Sequence, residues 1–363
     1  MTEVAGTEGA AAEWAGGLDG LGESFAVAAE ASGGVSDDRY ALAGATVVLR
    51  FASPALRERL SPAFAHLATG PDDATAPPAL TVHLWDSSST GAEPPPRPAV
   101  PDNYAEGALY HFDRPSLRAA YQPGLETLSV LDWTAGTAWH WVADAFDQPY
   151  WDQACPIRQI LFWWLGSRNY LQVHGAAVGT PTGGALVVGK AGSGKSTVAL
   201  SSLDSQLLYA GDDYVAVTLE PVPRVQSLYS SGKIEPDHVR KLLPHLVPLL
   251  SNRDRLDKEK AVVYVRQHFP EQVTSGFPLS AVLVPKVRGA RRETRVVETS
   301  RAAAFAALAP STILQLHTAG PDSFATMARL VHQVPCFGLE LGSDISAIPE
   351  AIADLLDRLS GVE

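Results

Sequence analysis

Gly189-Lys190-Ala191-Gly192-Ser193-Gly194-Lys195-Ser196 is the stretch that decides how this 363-residue chain is read. It satisfies G-x-x-x-x-G-K-[ST]. Ala185–Val188 before it reads as a short apolar strand. Thr197–Leu203 after it reads as a helix, with Val198, Ala199, Leu200 and Leu203 on one side. Strand, glycine loop and helix in that order are the context in which such a loop cradles phosphate. Glycines let backbone N–H groups close round a polyphosphate without Cβ obstruction, and the start of a helix adds unsatisfied donors. Lys195 would neutralise the β- and γ-phosphates, and the Ser196 hydroxyl would ligate Mg²⁺. The expected cofactor-binding residues are Gly189 to Thr197. The motif says nothing about what the nucleotide is used for.

Leu207-Leu208-Tyr209-Ala210-Gly211-Asp212-Asp213 reads as an apolar strand ending in two carboxylates. It resembles a Walker B element, whose acid holds the Mg²⁺ that bridges the phosphates. Asp212 follows Lys195 by 17 positions, room for one helix, a turn and one strand. The acids therefore belong to the strand that follows the loop's own helix. Neighbouring side chains on a strand point to opposite sides, unless the strand end bends. One carboxylate can hold Mg²⁺, with Ser196 and Asp212 as the candidate ligands, while the other accepts the proton of an acceptor hydroxyl. In the plainer reading one Asp is functional and its neighbour caps a turn. The sequence does not separate base from metal ligand within the pair.

Leu171–Val178 reads as a strand, and Gly179–Gly184 turns it back into the strand before the loop. That carries His174 close to the loop. Taken alone, a histidine in an apolar strand is more often a satisfied core residue. Together, His174-Gly175, a short hairpin, the loop Gly189–Ser196 and Asp212-Asp213 at this spacing resemble the HPr kinase/phosphorylase family. Relatives of that family share a phosphate-binding core with phosphoenolpyruvate carboxykinase. The resemblance spans about residues 170–220 and, more loosely, the rest of the C-terminal half.

The resemblance implies an α/β fold, with a P-loop HPr-kinase-like C-terminal domain, and ATP and Mg²⁺ as cofactors. In that family ATP phosphorylates a serine hydroxyl, the matching acids supply Mg²⁺ binding and the acid/base group, and the matching histidine lies at the active site. It implies catalytic roles here for Asp212, Asp213, His174 and Lys195, with Ser196 at the metal. Bifunctional members carry Glu-Ile-Arg-Gly after the Asp pair. Here that stretch reads Val225-Gln226-Ser227-Leu228-Tyr229-Ser230-Ser231-Gly232-Lys233, so neither the HPr acceptor nor the phosphorylase reaction is implied. Members from bacterial peptide-biosynthesis clusters also lack the bifunctional pattern, and some phosphorylate a peptide hydroxyl. The chain looks more like such a divergent member.

Further along, Ser230-Ser231-Gly232-Lys233 reads as a flexible loop, either covering the γ-phosphate or simply solvated. Arg253, Arg255, Lys258, Lys260 and Arg266 form a basic stretch, read either as phosphate-neutralising or as ordinary charged surface. Ala281–Pro285, Thr294–Glu298 and Phe337–Leu341 read as strands, and Ala302–Leu308, Ser323–Gln333 and Ile345–Leu359 as helices.

Upstream, the domain boundary is expected near residue 150, giving a smaller α+β N-terminal domain over 39–150 and the P-loop domain over 151–363. In the former, Tyr40–Ala52 reads as a strand, Pro54–Leu67 as a helix, Leu80–Leu84 as a strand and Leu125–Ala143 as a hairpin. Ser87–Pro101 holds five prolines and reads as a loop. Residues 1–38 carry eight acids and no base, so eight of the twelve net negative charges sit there. This stretch is expected to be a mobile acidic tail, with at most a weak helix over Glu23–Ala31.

Hydrophobic residues at 46% exclude a wholly disordered chain. A net charge of −12 provides no basic footprint for nucleic acid. No apolar run reaches the length of a membrane span, and Cys155 and Cys336 match no disulfide framework. A cytoplasmic setting is expected.

The sequence thus points to an ATP- and Mg²⁺-dependent kinase. It would transfer the γ-phosphate to a serine-like hydroxyl of a peptide, protein or small-molecule acceptor, without nucleic-acid or membrane partners. The N-terminal domain would serve acceptor recognition or homo-oligomer formation. The rival is a nucleotide-gated regulatory or scaffolding protein without phosphotransfer; the second acid argues against it. A carboxykinase would need a Lys/His/Asp metal set, which is not visible in the sequence.

Overall fold

The computed structural model describes residues 3–5, 14, 17–70, 77–100, 104, 107–289, 291–315 and 321–361. The chain is mixed α/β and divides into two compact units, Met1–Pro62 with Leu67–Trp164 and Ala63–His66 with Leu165–Glu363. The division at 164–165 comes later than the boundary expected near 150.

Among the described residues the first unit is built on eight strands: β1 (Glu3–Ala5), β2 (Ser36–Leu42), β3 (Ala45–Phe51), β4 (Leu80–Asp86), β5 (Leu109–Asp113), β6 (Leu117–Gln122), β7 (Thr127–Asp132) and β8 (Thr137–Val142). Their order in the sheet is β1-β5-β6-β7-β8-β4-β3-β2. The hairpin expected over 125–143 is β7–β8, paired from Thr127↔Val142 to Asp132↔Thr137. Tyr40–Ala52 is not one strand. It turns at Ala43-Gly44, both at positive φ (49° and 72°), the two-residue geometry that matches the twist of paired strands. In 87–101, Ser87–Thr90 makes a single helical turn, which Asp86 caps by accepting the Ser89 N–H at 2.7 Å.

The acidic stretch 1–38 is not a mobile tail over its described part. Helix α1 (Leu21–Ala31) is followed directly by β2. Leu21, Phe25 and Ala28 recur at helical spacing and are buried with Trp85 and Trp141 of the sheet. Phe25 meets Trp85 edge to face, ring centroids 5.9 Å apart. Net charge concealed the stripe: the acids Glu23 and Glu30 point outward, where they do not oppose packing. Helix α2 (Pro54–Phe64) follows β3.

After helix α3 (Arg158–Gly166), the second unit comprises β9 (Leu171–Thr180), β10 (Gly183–Val188), helix α4 (Lys195–Ser201), β11 (Leu208–Gly211), β12 (Tyr214–Thr218), β13 (Arg224–Ser227), β14 (Ser231–Ile234), helix α5 (Pro236–Leu242), β15 (Ala261–Tyr264), β16 (Gly276–Val287), β17 (Arg295–Glu298), helices α6 (Arg301–Gln315) and α7 (Pro321–Gln333), β18 (Cys336–Leu341) and helix α8 (Ala347–Ser360). The main sheet runs β10-β9-β12-β13-β16-β18-β17, with β11 beside β9 and β10 also paired to β16. β16 runs parallel to both of its neighbours β10 and β18.

Strand alternation explains why β10 is apolar throughout. Ala185 and Val187 pack with Val198 and Leu200 of α4 and Ile352 and Leu355 of α8. Leu186 and Val188 pack on the other face with Ala304 and Leu308 of α6 and Met327 and Leu330 of α7. Helices thus cover both faces of the sheet. Among the described residues no helix is long and apolar enough to cross a membrane.

If the α1 stripe holds the first unit together, Phe25→Ala is expected to cost about 3–5 kcal/mol, read by urea unfolding of the full chain. An unchanged midpoint would return 1–38 to a mobile tail.

Candidate functional site

β10 ends at Val188 and α4 begins at Lys195, so Gly189–Gly194 form the connection between them. Its tip, Lys190 to Gly192, is exposed. Gly192 and Gly194 sit at φ 75° and 108°, a region in which a side chain is strained. A Cβ on Gly194 would also lie 2.4 Å from Leu341 at the end of β18. The loop is therefore pressed against the carboxyl ends of the parallel strands, the usual position for ligand sites in α/β sheets.

Two features of the loop fit a polyphosphate. The Ser193 Oγ is buried and has no hydrogen-bond partner among the described residues, and an orphaned buried hydroxyl calls for one. Lys195 is buried, with its Nζ donating to the carbonyls of Gly189 (2.7 Å) and Lys190 (3.3 Å). Burial lowers its pKa, opposed by the charges of Asp212 and Asp213. Thr197 follows in the first turn of α4 and is half-buried.

The Asp pair is reached through β11, which ends at Gly211. A Cβ there would meet Val215 at 2.9 Å. Asp213 takes φ 73°, and the Tyr214 N–H donates to the Asp212 carbonyl at 3.0 Å. An i to i+2 bond around a positive φ is a γ-turn, a rare and strained conformation. The turn is pinned to β9 by the Gly175 N–H, which donates to the Asp213 carbonyl at 3.1 Å.

This turn is why two neighbouring acids both engage the groups around the loop instead of pointing apart as on a strand. Asp212 Oδ1 accepts from the Ser196 hydroxyl at 3.1 Å, and its Oδ2 accepts from the Lys233 N–H at 3.1 Å. Asp213 Oδ1 lies 3.1 Å from His174 Nε2, and Oδ2 forms an ion pair with Lys233 Nζ. Neither acid is a mere turn cap. His174 and Tyr214 face each other in register across β9 and β12, their rings 5.4 Å apart.

The environments split the pair electrostatically. Asp212 is fully buried, and burial followed by the Asp213 charge pushes its carboxyl up. Burial also opposes ionisation of Asp213, but Lys233 and His174 outweigh it and hold that carboxyl far below the ordinary range.

Lys233 is the residue the sequence misplaced. Ser230–Lys233 is not a flexible loop: β14 pairs with β15, Lys233 opposite Val262, and Lys233 is only 8% exposed. The signal was Gly232, where a Cβ would lie 2.5 Å from Leu200 of α4; the glycine permits close packing, not mobility. The basic stretch 253–266 is mostly occupied elsewhere. Arg255 pairs with Glu259 at 2.8 Å and Lys260 with Glu235 at 3.1 Å, and Arg266 donates to the Pro270 carbonyl at 2.8 Å. Lys260 is still near enough for its charge to help lower Lys195.

Among the described residues no group of three or more His, Cys, Asp and Glu side chains could hold a metal ion. Ser196 and Asp212 offer two oxygens. That number suits Mg²⁺, which keeps its waters and takes phosphate oxygens beside one or two protein ligands.

The split has a functional-assay-free consequence. Asp213, with a lowered pKa, contributes stability that is present above about pH 4 and lost as pH falls through its folded pKa. Asp212, with a raised pKa, does the reverse, and its penalty appears only as pH rises above the unfolded value. Asp213→Asn should therefore destabilise at pH 7 by up to about 3 kcal/mol, since the buried Lys233 ammonium loses the carboxylate it is paired with. Asp212→Asn should stabilise. In urea titrations the Asp212→Asn effect should fade as pH falls toward about 4, whereas the Asp213→Asn effect should persist there and fade only below it; effects of the same sign at pH 7 would refute the split.

No family model matches the sequence, and no curated protein matches it. Among solved structures the chain is similar to the HPr(Ser) kinase/phosphatase from Coxiella burnetii, at 14% identity over 52% of this chain and 93% of that one, with a TM-score of 0.28. That is a weak structural relationship, and the reading of the site rests on its own geometry.

Proposed function

We propose that this chain is an ATP- and Mg²⁺-dependent kinase that transfers the γ-phosphate to a hydroxyl of a peptide, protein or small-molecule acceptor. One observation carries the reading. Ser196, in the first turn of the helix after the glycine loop, and His174, on the neighbouring strand, each hold one of two adjacent carboxylates. A protein that only binds nucleotide needs no second acid with its own orienting partner.

In this reading the loop N–H groups, the Ser193 hydroxyl and Lys195 hold the β- and γ-phosphates. Ser196 and Asp212 would hold Mg²⁺, which supplies charge neutralisation across the phosphates. Asp213 is the group that receives the acceptor's proton, and His174 orients it. A strongly ionised carboxylate is a weak base, but a loose phosphoryl-transfer transition state asks little of the base beyond position.

The test is transfer from Mg·ATP to a library of hydroxyl-bearing peptides and small molecules, read by mass spectrometry as phosphoryl addition. Lys195→Ala should abolish transfer. Asp213→Asn should slow it roughly 10²–10⁴-fold without weakening Mg·ATP binding to a similar degree. Tight nucleotide binding with no transfer to any acceptor, unchanged in Asp213→Asn, would favour the nucleotide-gated reading.

A further inference from the structure

Lys233 has no part in the roles assigned so far, yet it contacts both acids of the site. Its N–H is bonded to one oxygen of Asp212, and the other oxygen of that carboxylate takes the Ser196 hydroxyl. Two hydrogen bonds of 3.1 Å through a single carboxylate thus separate Lys233 from the start of the helix that follows the loop.

Its backbone is fixed. β14 is paired along its whole length, from Ser231↔Tyr264 to Ile234↔Ala261. The Ser231 carbonyl accepts from Tyr209 Oη at 2.8 Å, and Gly232 is packed onto Leu200 of α4. The side chain is buried, so its charge acts in a medium where it is weakly screened.

The ammonium is paired with Asp213. It is a point charge on a flexible four-carbon stem, and the partner it holds, Asp213, keeps His174 as a second partner. Lys195 is in the same condition, its Nζ resting on the loop carbonyls. Both buried cations are held by protein oxygens, Lys195 on the loop itself and Lys233 on the acid next to the one that takes the Ser196 hydroxyl. A terminal phosphate is a stronger anion than either set of oxygens.

We propose that Lys233 is a second phosphate-binding cation, whose ammonium leaves Asp213 for the terminal phosphate of a bound nucleoside triphosphate. Lys195 serves both nucleotides, whereas Lys233 meets a group that only the triphosphate has. The site thereby prefers tri- to diphosphate. This rests on the assignment of 189–196 as the phosphate loop and adds to it the residue that reads phosphate number.

The test is calorimetric binding of Mg·ADP and of Mg²⁺ with a non-hydrolysable ATP analogue to the full chain. Lys233→Met should weaken the triphosphate analogue roughly 10- to 100-fold, the worth of a charged hydrogen bond, and change ADP binding less than about threefold. Lys233→Arg should keep most of the preference. Lys233→Met/Asp213→Asn removes both charges together and carries the same expectation if the single variant does not fold. Equal loss for both nucleotides would make Lys233 a structural partner of the acids and overturn the proposal, as would no loss for either. Wild-type protein that binds neither nucleotide would instead remove the phosphate-loop assignment, and the proposal with it.

Discussion

The constraint on which the second unit depends is the placing of two consecutive carboxylates, one buried and one half-buried, beside one loop. Like charges this close cannot both be ionised without compensation. The fold supplies it unequally. Asp212 receives neutral donors, a hydroxyl and a backbone N–H. Asp213 receives an ammonium and an imidazole. Lys233 serves both, one acid through its backbone and the other through its side chain. A buried ion pair is weak evidence for stability, since apolar packing would often do as well. Perturbed carboxylates of this kind concentrate at functional sites, and these two sit where the glycine loop is.

The backbone carries part of the cost. Asp213 at φ 73° is strained, by about 1–3 kcal/mol for such outliers, and persists because its neighbours over-determine it. Tyr214 is locked opposite His174 in the β9–β12 ladder. The N–H of Gly175 holds the Asp213 carbonyl, and Gly211 leaves room for Val215 only because it lacks a Cβ. The pairing that builds the sheet is thus the pairing that sets His174 beside Asp213. Helix α4 is held from both sides, by the core with α8 and by β14 at Gly232. The loop and the acids therefore share one rigid frame.

Much of this was legible in the sequence. The strand, loop and helix order was legible because phosphate chemistry restricts residue type and spacing together, and the approach of His174 to the acids because a short hairpin joins its strand to the one before the loop. The β7–β8 hairpin was legible because apolar and polar residues alternate over much of its length on either side of a turn. What was missed has physical reasons. The α1 stripe was masked by the acids on its outer face, and net charge was taken for disorder. The β2–β3 turn uses Ala43-Gly44 in place of the more telling Asn-Gly, so two strands read as one. Ser230–Lys233 looked mobile because small residues suit both a loop and a close-packed strand; only the three-dimensional approach of Leu200 tells them apart. The γ-turn at Asp213 has no local signature, because the ladder to β9 imposes it.

In the function proposed here the two acids divide their work, Asp212 with Ser196 at the metal and Asp213 with His174 at the acceptor. The most direct measurement is a crystal structure of the full chain grown with Mn²⁺ and a non-hydrolysable ATP analogue, with the metal located by its anomalous signal. The account expects the peak between Ser196 Oγ, Asp212 and the phosphate oxygens, with Asp213 outside the coordination sphere and still bonded to His174. A peak centred on Asp213, or a nucleotide seated away from residues 189–196, would contradict it.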